Sequence, residues 1–282
     1  MSFDGFIIVD KPINKLSHEV TSLIGRLFNT KAGHAGTLDP NVSGVLPIAL
    51  GKSRKLLRFV SFQKKTYVGI VKFPHEVSMN YITSLFSKFK GKIIQTPPKM
   101  SAVAKKPRVR HVYELKPLEI YKNRVLFLAE VEKGTYIRTL CKDMGGEMED
   151  LRRIKVGPID ESKAIHLLKI RIAVECYKKG KPTLLNSILI PPERFMKMLL
   201  PSIYLNKKAA LAVSNGAQLM RPGIIKYGEF KEGDFISYFY RNIFIGVGKA
   251  ELSSSQLKDV QKGLVARTER IHRAKNELVK LL

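Results

Sequence analysis

The stretch from Gly33 to Pro47 reads GHAGTLDPNVSGVLP and places one carboxylate, Asp39, among glycines, small residues and two prolines. Glycine and proline interrupt regular structure, so residues 33–45 are predicted to form a loop. An aspartate in a loop commonly bonds to nearby backbone N–H groups and shapes a turn. Loops on a rigid scaffold, however, also carry many binding and catalytic residues. These residues alone leave both roles open for Asp39.

The segments before this loop are predicted to form a strand and a helix. Gly5–Asp10 (GFIIVD) is a short apolar run followed by Lys11-Pro12, as expected for a buried strand. Ser17 is a suitable N-cap for a helix that extends to about Phe28. Apolar residues recur along that helix at the spacing of one buried face: Val20, Leu23, Ile24, Leu27 and Phe28.

Strand and helix patterns follow the loop without regular alternation. The predicted elements are a short helix over Ser53–Phe62, a strand over Thr66–Phe73, a helix over Met79–Phe89, strands over Val112–Tyr121 and Arg124–Lys133, and a helix over Tyr136–Glu149. Because strands and helices are mixed without repeated βαβ units, the pattern favours an α+β fold with a mixed, largely antiparallel sheet and flanking helices.

The last third of the chain has a different composition, beginning around Ile190-Pro191-Pro192 and Leu200-Pro201. A helix over Lys207–Ser214 is followed by Asn215-Gly216, a suitable helix C-terminus. Short strands with glycine turns come next and predict a small β-barrel-like module: Gly223–Lys226, Asp234–Tyr240 and Ile243–Lys249. The basic residues of Ala266–Leu282 are predicted to form a helical tail.

The chain is strongly basic, with 50 Lys and Arg against 24 Asp and Glu and a net charge of +26 in 282 residues. Self-repulsion makes such a charge costly unless a polyanion neutralises it, which indicates nucleic acid or an anionic membrane. No apolar run reaches the length of a membrane span, and the N-terminus does not resemble a signal peptide. A nucleic-acid partner in the cytoplasm is therefore favoured, and no membrane partner is expected.

Metal and nucleotide chemistry have no support in the sequence. There are two cysteines, and the six histidines are scattered without a pair at ligand spacing, so a metal site is not predicted. The glycine-rich phosphate-binding motifs GxxxxGK[ST] and GxGxxG are absent. Any catalysis must therefore come from carboxylates, tyrosines and basic groups.

Several side chains are candidate partners of Asp39 or of a nucleic acid. Arg138 in GTYIRTLCKDMG could hold Asp39 charged through a bidentate contact, or it could be an ordinary surface arginine. Tyr67 could stack on an unpaired base or pack in the core. His34 could contact phosphate or base but is more often structural. A cationic cluster is expected either to face solvent or to contact phosphate: Lys105, Lys106, Arg108 and Arg110.

Four motifs in the same order resemble the TruB-type pseudouridine synthases, and more closely their archaeal and eukaryotic dyskerin-like branch. They are GFIIVDKP (Gly5–Pro12), GHAGTLDPNVSGVLPIALGKSRK (Gly33–Lys55), KKTY (Lys64–Tyr67), and GTYIRTLCKDMG continuing to DLRRIKVGP (Gly134–Pro158). The segment PPKMSAVAKKPRVR (Pro97–Arg110) is similar to the dyskerin branch in particular. AVSNGAQLMRPGI (Ala212–Ile224) resembles the opening of a PUA domain, a small RNA-binding barrel.

The resemblance implies a role for each matching residue. Asp39 is similar to the catalytic aspartate and Arg138 to its ion-pair partner. This pair is expected to be buried, so removal of Arg138 should harm folding, because an unpaired buried charge costs about 3–5 kcal/mol. The remaining implied roles are stacking on the target base by Tyr67, an apolar pocket wall from Leu151, retention of the flipped nucleotide by His34, support of the loop by Lys11 and Pro12, and RNA contact by Arg221 of the PUA segment.

The resemblance also implies the domain division and the reaction. Residues 1–198 are expected to form the catalytic domain, residues 199–275 the PUA domain and residues 276–282 a basic tail. The enzyme would isomerise uridines in ribosomal or transfer RNA without a cofactor, directed by a box H/ACA guide RNA and assisted by small protein subunits. It would be cytoplasmic in an archaeon and nucleolar in a eukaryote. A standalone transfer-RNA T-loop synthase and a non-catalytic RNA-binding protein remain as alternatives.

Overall fold

The first strand, β1 (Gly5–Lys11), is covered on both faces. The structure is a computed structural model that describes residues 3–97, 104 and 106–281. Successive side chains of a strand point to opposite faces, so the alternate residues of β1 enter two different cores. Ile7 and Val9 pack with the flanking helices, whereas Phe6 and Ile8 pack toward the second half of the chain. This double burial explains the uninterrupted apolar run GFIIV.

Among the described residues, β1 belongs to a ten-stranded sheet with the order β10-β1-β3-β8-β4-β7-β6-β5, in which β2 pairs with β3 and β9 with β8. The remaining strands are β2 (Ala32–His34), β3 (Val42–Leu50), β4 (Lys65–Lys72), β5 (Gly91–Gln95), β6 (Arg108–Tyr121), β7 (Arg124–Val131), β8 (Glu147–Val156), β9 (Ile159–Asp160) and β10 (Ile165–His166). The β1–β10 and β3–β8 pairings are parallel and the other pairings of this sheet are antiparallel.

Helices flank this sheet, and one of them leads to the second half of the chain. They are α1 (Ser17–Leu27), α2 (Leu57–Ser61), α3 (Met79–Lys88), α4 (Ile137–Asp143), α5 (Leu167–Lys178), α6 (Thr183–Ile188) and α7 (Pro192–Leu199). Within the described part of the chain, no helix is long and apolar enough to cross a membrane.

The second half forms a six-stranded sheet, among the described residues, that curls into an open half-barrel with the order β12-β16-β15-β14-β11-β13. Its elements are β11 (Ser202–Leu205), α8 (Lys207–Ser214), β12 (Leu219–Met220), β13 (Ile224–Tyr227), β14 (Phe235–Tyr240), β15 (Ile243–Ala250), β16 (Leu264–Ile271) and α9 (Lys275–Val279). The predicted α+β class, the largely antiparallel sheet and the small barrel-like module are confirmed.

The region predicted as a loop, residues 33–45, is a loop only over residues 35–41. Its ends belong to β2 and β3, although the sequence contains Gly44 and Pro47. Gly44 does not break β3, because its φ of +106° allows the strand to approach β8 closely. A Cβ atom at this position would lie 2.2 Å from the carbonyl oxygen of Arg153. The glycine is therefore required by the contact between the two strands.

Two predicted helices were also wrong in extent. The helix predicted over Tyr136–Glu149 ends at Asp143, because Gly145 adopts a φ of +84° and β8 begins at Glu147. The basic tail is strand β16 as far as Ile271, because this segment pairs with β15 and buries Val265 and Ala266 in the core of the second sheet, and only α9 is helical.

Ser17 is not the N-cap of α1 but its first residue. Leu16 occupies the capping position, and its N–H donates to a carboxylate oxygen of Glu19 over 2.9 Å. The Ser17 hydroxyl instead bonds to the backbone of Leu38, 2.9 Å from both its N and its O. Tertiary contact with the loop has replaced the local capping bond.

Helix α7 joins the two sheets through a shared core. The ring of Phe195 stacks on Phe6 of β1, with centroids 3.6 Å apart and planes 7° from parallel. Phe239 and Phe244 of the second sheet belong to the same buried cluster. Ion pairs cross the same boundary, Arg58 with Glu269 at 3.0 Å and Arg273 with Glu193 at 2.8 Å. The two sheets are thus packed together rather than joined only by a linker.

We expect Phe195→Ala to lower the free energy of unfolding by about 3–5 kcal/mol, because it leaves a cavity at the shared core. Chemical denaturation of the full chain measures this change. Ile94→Ala, at a side chain that is 72% exposed, is the control and should change stability little. A loss below about 1 kcal/mol at Phe195 would contradict the role of this stack.

Candidate active site

Asp39 lies on the loop of residues 35–41, which we call the Asp39 loop, and faces a cleft of about 550 Å³. The loop passes close to other parts of the chain. Gly36 has a φ of +75°, and a Cβ there would lie 3.3 Å from Nη1 of Arg153. Glycine is favoured at this position both by the backbone conformation and by the limited space.

Three elements hold the Asp39 loop by its backbone. The ammonium of Lys11, at the end of β1, donates to the carbonyl oxygen of Pro40 over 3.2 Å. Ser17 bonds to Leu38 from α1, as described above. From β8, Nη2 of Arg153 donates to the carbonyl oxygen of Gly36 over 2.9 Å. Carbonyl groups removed from water need such donors, so these bonds set the position of the loop.

Arg138 reaches Asp39 from the first turn of α4. Its Nη2 lies 3.2 Å from Oδ2 of Asp39, so the pair predicted from the sequence is present. Both side chains are about half exposed, at 46% and 45%. The prediction of a buried pair was therefore wrong. Water competes for both charges, so the contact orients the carboxylate more than it stabilises the fold.

Tyr67 and Leu151 form part of the cleft from neighbouring strands. Tyr67 on β4 is 9% exposed, and Leu151 on β8 is 4% exposed. Gly69 on β4 lies opposite Leu151, and a Cβ at that position would be 2.7 Å from Cδ1 of Leu151. An aromatic ring and an aliphatic side chain thus face the same space as the Asp39 carboxylate.

The predicted site residues do not all line the cleft. Asp39, Tyr67, Arg138, Leu151 and Arg110 line the cleft, whereas His34, Lys11 and Pro12 do not. The His34 ring lies between two hydroxyls instead, with Nδ1 2.8 Å from Thr21 and Nε2 3.3 Å from Thr37. Burial, followed by the charges of Arg153 and His18, lowers the pKa of His34. This histidine therefore supports the loop rather than facing the cleft.

The predicted RNA-contacting cations are spread over three places. Arg110 lines the cleft, and its Nε donates to the carbonyl oxygen of Gly134 over 3.2 Å. Arg108 lines a small neighbouring pocket. Lys106 lies just before β6 and is exposed to solvent. Arg221 belongs to the second sheet's side of the molecule, where its Nε donates to Leu257 O over 3.1 Å. Lys105 lies outside the described residues.

Two buried cations of the cleft were missed in the sequence, Arg153 and Lys65. Each stands two positions from a predicted pocket residue on the same strand, Arg153 from Leu151 and Lys65 from Tyr67. Alternation along a strand puts such residues on one face, so this spacing could have identified both. Arg153 is 1% exposed and Lys65 is 5% exposed.

The surroundings of Lys65 disfavour its charged form. Burial, with the positive charges of Arg153 and Lys133 adding to it, lowers the pKa of the Lys65 ammonium to about 7. Its Nζ donates to the carbonyl oxygens of Ser61 and Gln63, both over 2.6 Å. An amine can donate these two bonds with or without its third proton, so Lys65 can lose its charge near neutral pH.

Among the described residues, no three His, Cys, Asp or Glu side chains lie together in a group that could hold a metal ion. The cleft is lined by two carboxylates, Asp39 and Glu132, by the arginine partner of Asp39, by tyrosine side chains and by further cations. This set can orient a charged carboxylate against a flat, polar ring and attract an anionic chain.

Comparison with known protein families gives matches to three models. Residues 25–80 match the TruB family pseudouridylate synthase N-terminal domain, and residues 138–197 match the tRNA pseudouridylate synthase B C-terminal domain. Residues 201–272 match the PUA domain. Together these models include Asp39, Tyr67, Arg138 and Leu151 of the cleft and the strands of the second sheet.

Similar proteins cover nearly the whole chain. A "Probable tRNA pseudouridine synthase B" of Pyrobaculum calidifontis is 38% identical over 94% of this chain and 83% of the relative. Its counterpart in Nanoarchaeum equitans is also 38% identical, over 94% of this chain and 78% of the relative.

Solved structures agree with this relationship. A chain from the structure titled "Crystal Structure of a Cbf5-Nop10-Gar1 Complex" is 35% identical, with a TM-score of 0.87 over 96% of this chain and 86% of that one. A chain titled "Structure of H/ACA RNP bound to a substrate RNA containing 2'-deoxyuridine" is 33% identical, with a TM-score of 0.85 over 97% and 86%.

Arg138→Ala should lower the free energy of unfolding by no more than about 1 kcal/mol, because the ion pair is half exposed. Arg124→Ala is a matched control, since Arg124 forms a similarly exposed pair with Glu149. Thermal or chemical denaturation compares the two variants. A loss of several kcal/mol at Arg138 alone would mean that the pair is buried in solution.

Lys65→Met should change how stability depends on pH. Unfolding restores the usual pKa of Lys65, so between pH 7 and about 10 the unfolded chain binds one proton more than the folded one. Wild-type stability then rises with pH by up to about 1.4 kcal/mol per unit from this group. The unfolding free energy of wild type minus that of the variant should therefore increase with pH across that range. Below pH 7 this difference should not depend on pH. A pH-independent difference would contradict the lowered pKa.

Proposed function

The chain belongs to the TruB family of pseudouridine synthases, which are RNA isomerases, and we propose that it modifies uridines chosen by a guide RNA, with Asp39 as its catalytic carboxylate. The observation that carries the assignment of Asp39 is the contact with Arg138 at 3.2 Å in a cleft shared with Tyr67 and Leu151. Of the side chains that line the cleft, Asp39 and Glu132 are the carboxylates. Only Asp39 lies on the loop held from β1, α1 and β8.

The reaction needs an ionised carboxylate. Pseudouridine formation breaks the bond between ribose C1′ and uracil N1, turns the base, and joins C5 to C1′. Asp39 would either attack C1′ or remove the C2′ proton, and both steps require the charged form. The guanidinium of Arg138, 3.2 Å from Oδ2, orients the carboxylate toward the cleft. No group enters or leaves, so the isomerisation balances without a cofactor.

The cleft suits a nucleotide removed from its helix. A target uridine must leave the stack, at a cost of a few kcal/mol, and a flipped base is commonly held against an aromatic ring. In the proposal Tyr67 supplies that ring and Leu151 supplies an apolar wall. The volume of about 550 Å³ lies in the range of small-ligand sites. The half-exposed Asp39 carboxylate would then face the ribose.

Guide-directed modification is favoured by the solved structures. The chain matches proteins from a Cbf5-Nop10-Gar1 complex and from an H/ACA ribonucleoprotein bound to substrate RNA over nearly its whole length. We therefore propose small protein subunits and a guide RNA as partners. The names of the curated relatives support a second candidate, modification of transfer RNA by the protein alone.

Residues of both sheets would contact RNA. We place the boundary between the catalytic part and the PUA part at residues 198–199. The net charge of +26 on the chain would attract RNA phosphates. Arg110 is proposed to contact RNA at the cleft, and Arg108 and Lys106 beside it. Arg221 is proposed to contact RNA from the second sheet, through the guanidinium nitrogens that Leu257 does not occupy.

A tritium-release assay tests the proposal. RNA labelled at uracil C5 releases tritium when C5 bonds to C1′, so release reports turnover. The protein is given labelled transfer RNA alone, or labelled ribosomal RNA fragments with guide RNA and the small subunits. Release only in the complete mixture would support the guided form, and release from transfer RNA by the protein alone would support the second candidate.

Asp39→Asn should abolish tritium release while changing the RNA dissociation constant by less than about tenfold, or 1.4 kcal/mol. Asp143→Asn is the matched control, because Asp143 lies on α4 near Arg138 but does not line the cleft. Turnover that persists in Asp39→Asn would refute the assignment of this carboxylate. Absence of release from wild type in every mixture would refute the proposed activity itself.

A further inference from the structure

Arg153 lies at the centre of the site without being part of the ion pair described above. Its side chain is 1% exposed, lines the cleft, and donates from Nε to the carbonyl oxygen of Val45 over 2.8 Å and from Nη2 to Gly36 O. Burial lowers the pKa of Arg153, and its interaction with the Tyr67 hydroxyl partly offsets that effect. Arg153 and Tyr67 both line the cleft, and the guanidinium lies close enough to the tyrosine hydroxyl to interact with it.

This guanidinium has no carboxylate partner among the residues that the structure describes. Its charge is instead felt by other basic groups. After burial, it is the next cause that lowers the pKa values of Lys11, His34 and Lys65. Lys65 can relieve the repulsion by losing a proton, whereas an arginine stays charged. A permanent positive charge therefore remains under the Asp39 loop.

The neighbouring arginine, Arg152, differs from Arg153 because it has carboxylate partners. Arg152, on the other face of β8, is 3.0 Å from Asp10 and 2.7 Å from Glu161. A buried charge without such compensation is costly, and proteins depart from that rule mainly at functional sites. The counter-charge of Arg153 is thus expected to come from the ligand.

Resting on the proposed function, we propose that Arg153 is a positioning residue that stabilises, through the Tyr67 hydroxyl, the negative charge of the departing uracil. When the C1′–N1 bond breaks, its electron pair stays on the base, which is an anion until C5 bonds to C1′. The C5 proton then leaves and N1 gains a proton, so the isomerisation balances. A fixed cation in a dry site stabilises such a developing charge without reorganisation.

The base fits this role better than a phosphate. The Arg153 side chain is 1% exposed, so an RNA backbone cannot reach its guanidinium. More exposed cations of the cleft, such as Arg110 and Lys133, are placed for phosphates. The anion that approaches Tyr67 is the base stacked on its ring.

The test varies the leaving group. Single-turnover rates are measured for wild type and Arg153→Met on the RNA that wild type accepts, with uridine or 5-fluorouridine at the target. Loss of the original nucleoside is counted after nuclease digestion and chromatography. Fluorine stabilises the base anion by itself, so the fluorinated base needs less help from the protein. Arg152→Met is the matched control and should leave both rates unchanged.

We expect Arg153→Met to slow uridine conversion by about 10²- to 10³-fold and 5-fluorouridine conversion by clearly less. RNA affinity should stay within about tenfold of wild type. Arg153→Lys, which retains a charge, should recover part of the rate. Equal losses on both bases would show a purely structural role and overturn the proposal, as would no loss on uridine.

A second variant keeps the test decisive if Arg153→Met does not fold. Tyr67→Phe retains the ring and removes the hydroxyl, and it should show the same smaller loss with 5-fluorouridine. Equal losses in Tyr67→Phe would likewise overturn the proposal. Failure of wild type on both RNAs would instead refute the proposed activity, so the two failures are distinguishable.

Discussion

Two buried cations hold the Asp39 loop by its carbonyl oxygens, Lys11 at Pro40 and Arg153 at Gly36. Leu38 and Ala35 of the loop are buried among apolar residues, whereas its other side chains are small or polar, so burial of hydrophobic surface fixes only part of its position. Its backbone must be satisfied by donors brought from elsewhere. Those donors come from β1 and β8, the two strands that flank β3 in the sheet. The strand order thus determines where the carboxylate stands.

Different contacts fix the position of the loop and the orientation of the Asp39 carboxylate. Lys11 and Arg153 are buried and act on the backbone, whereas the Asp39–Arg138 contact is half exposed and acts on the side chain. A half-exposed ion pair adds little to folding but can still favour one direction of the carboxylate. The cleft therefore combines a fixed loop with a carboxylate that remains accessible to an incoming ribose.

The residues that meet in the cleft could be predicted from the sequence, but the geometry that brings them together could not. Asp39, Tyr67, Arg138 and Leu151 come from three separate motifs and share one cleft, although their chemical roles remain predictions. The pattern at Gly44 indicated a loop, because nothing local shows that the backbone of β8 approaches there. The exposure of Arg138 likewise depends on long-range packing.

Arg153 was overlooked for a related reason. The segment before it was taken as the end of a helix, which hid the alternation that places Arg153 beside Leu151 and Arg152 on the opposite face. Ser17 shows the same limit, since a good capping residue was used for a distant bond to Leu38. Local propensity predicts an element, and tertiary contacts decide how its polar atoms are used.

The bond from Arg153 to Gly36 joins residues 117 positions apart, and the parallel pairing of β3 with β8 spans a similar distance. Contacts of such separation form late, because a long stretch of chain must first be ordered. During synthesis on the ribosome, the Asp39 loop emerges long before β8 has been made. A nascent chain therefore cannot complete its site until more than half of the protein has been translated, and truncated products would lack a formed loop.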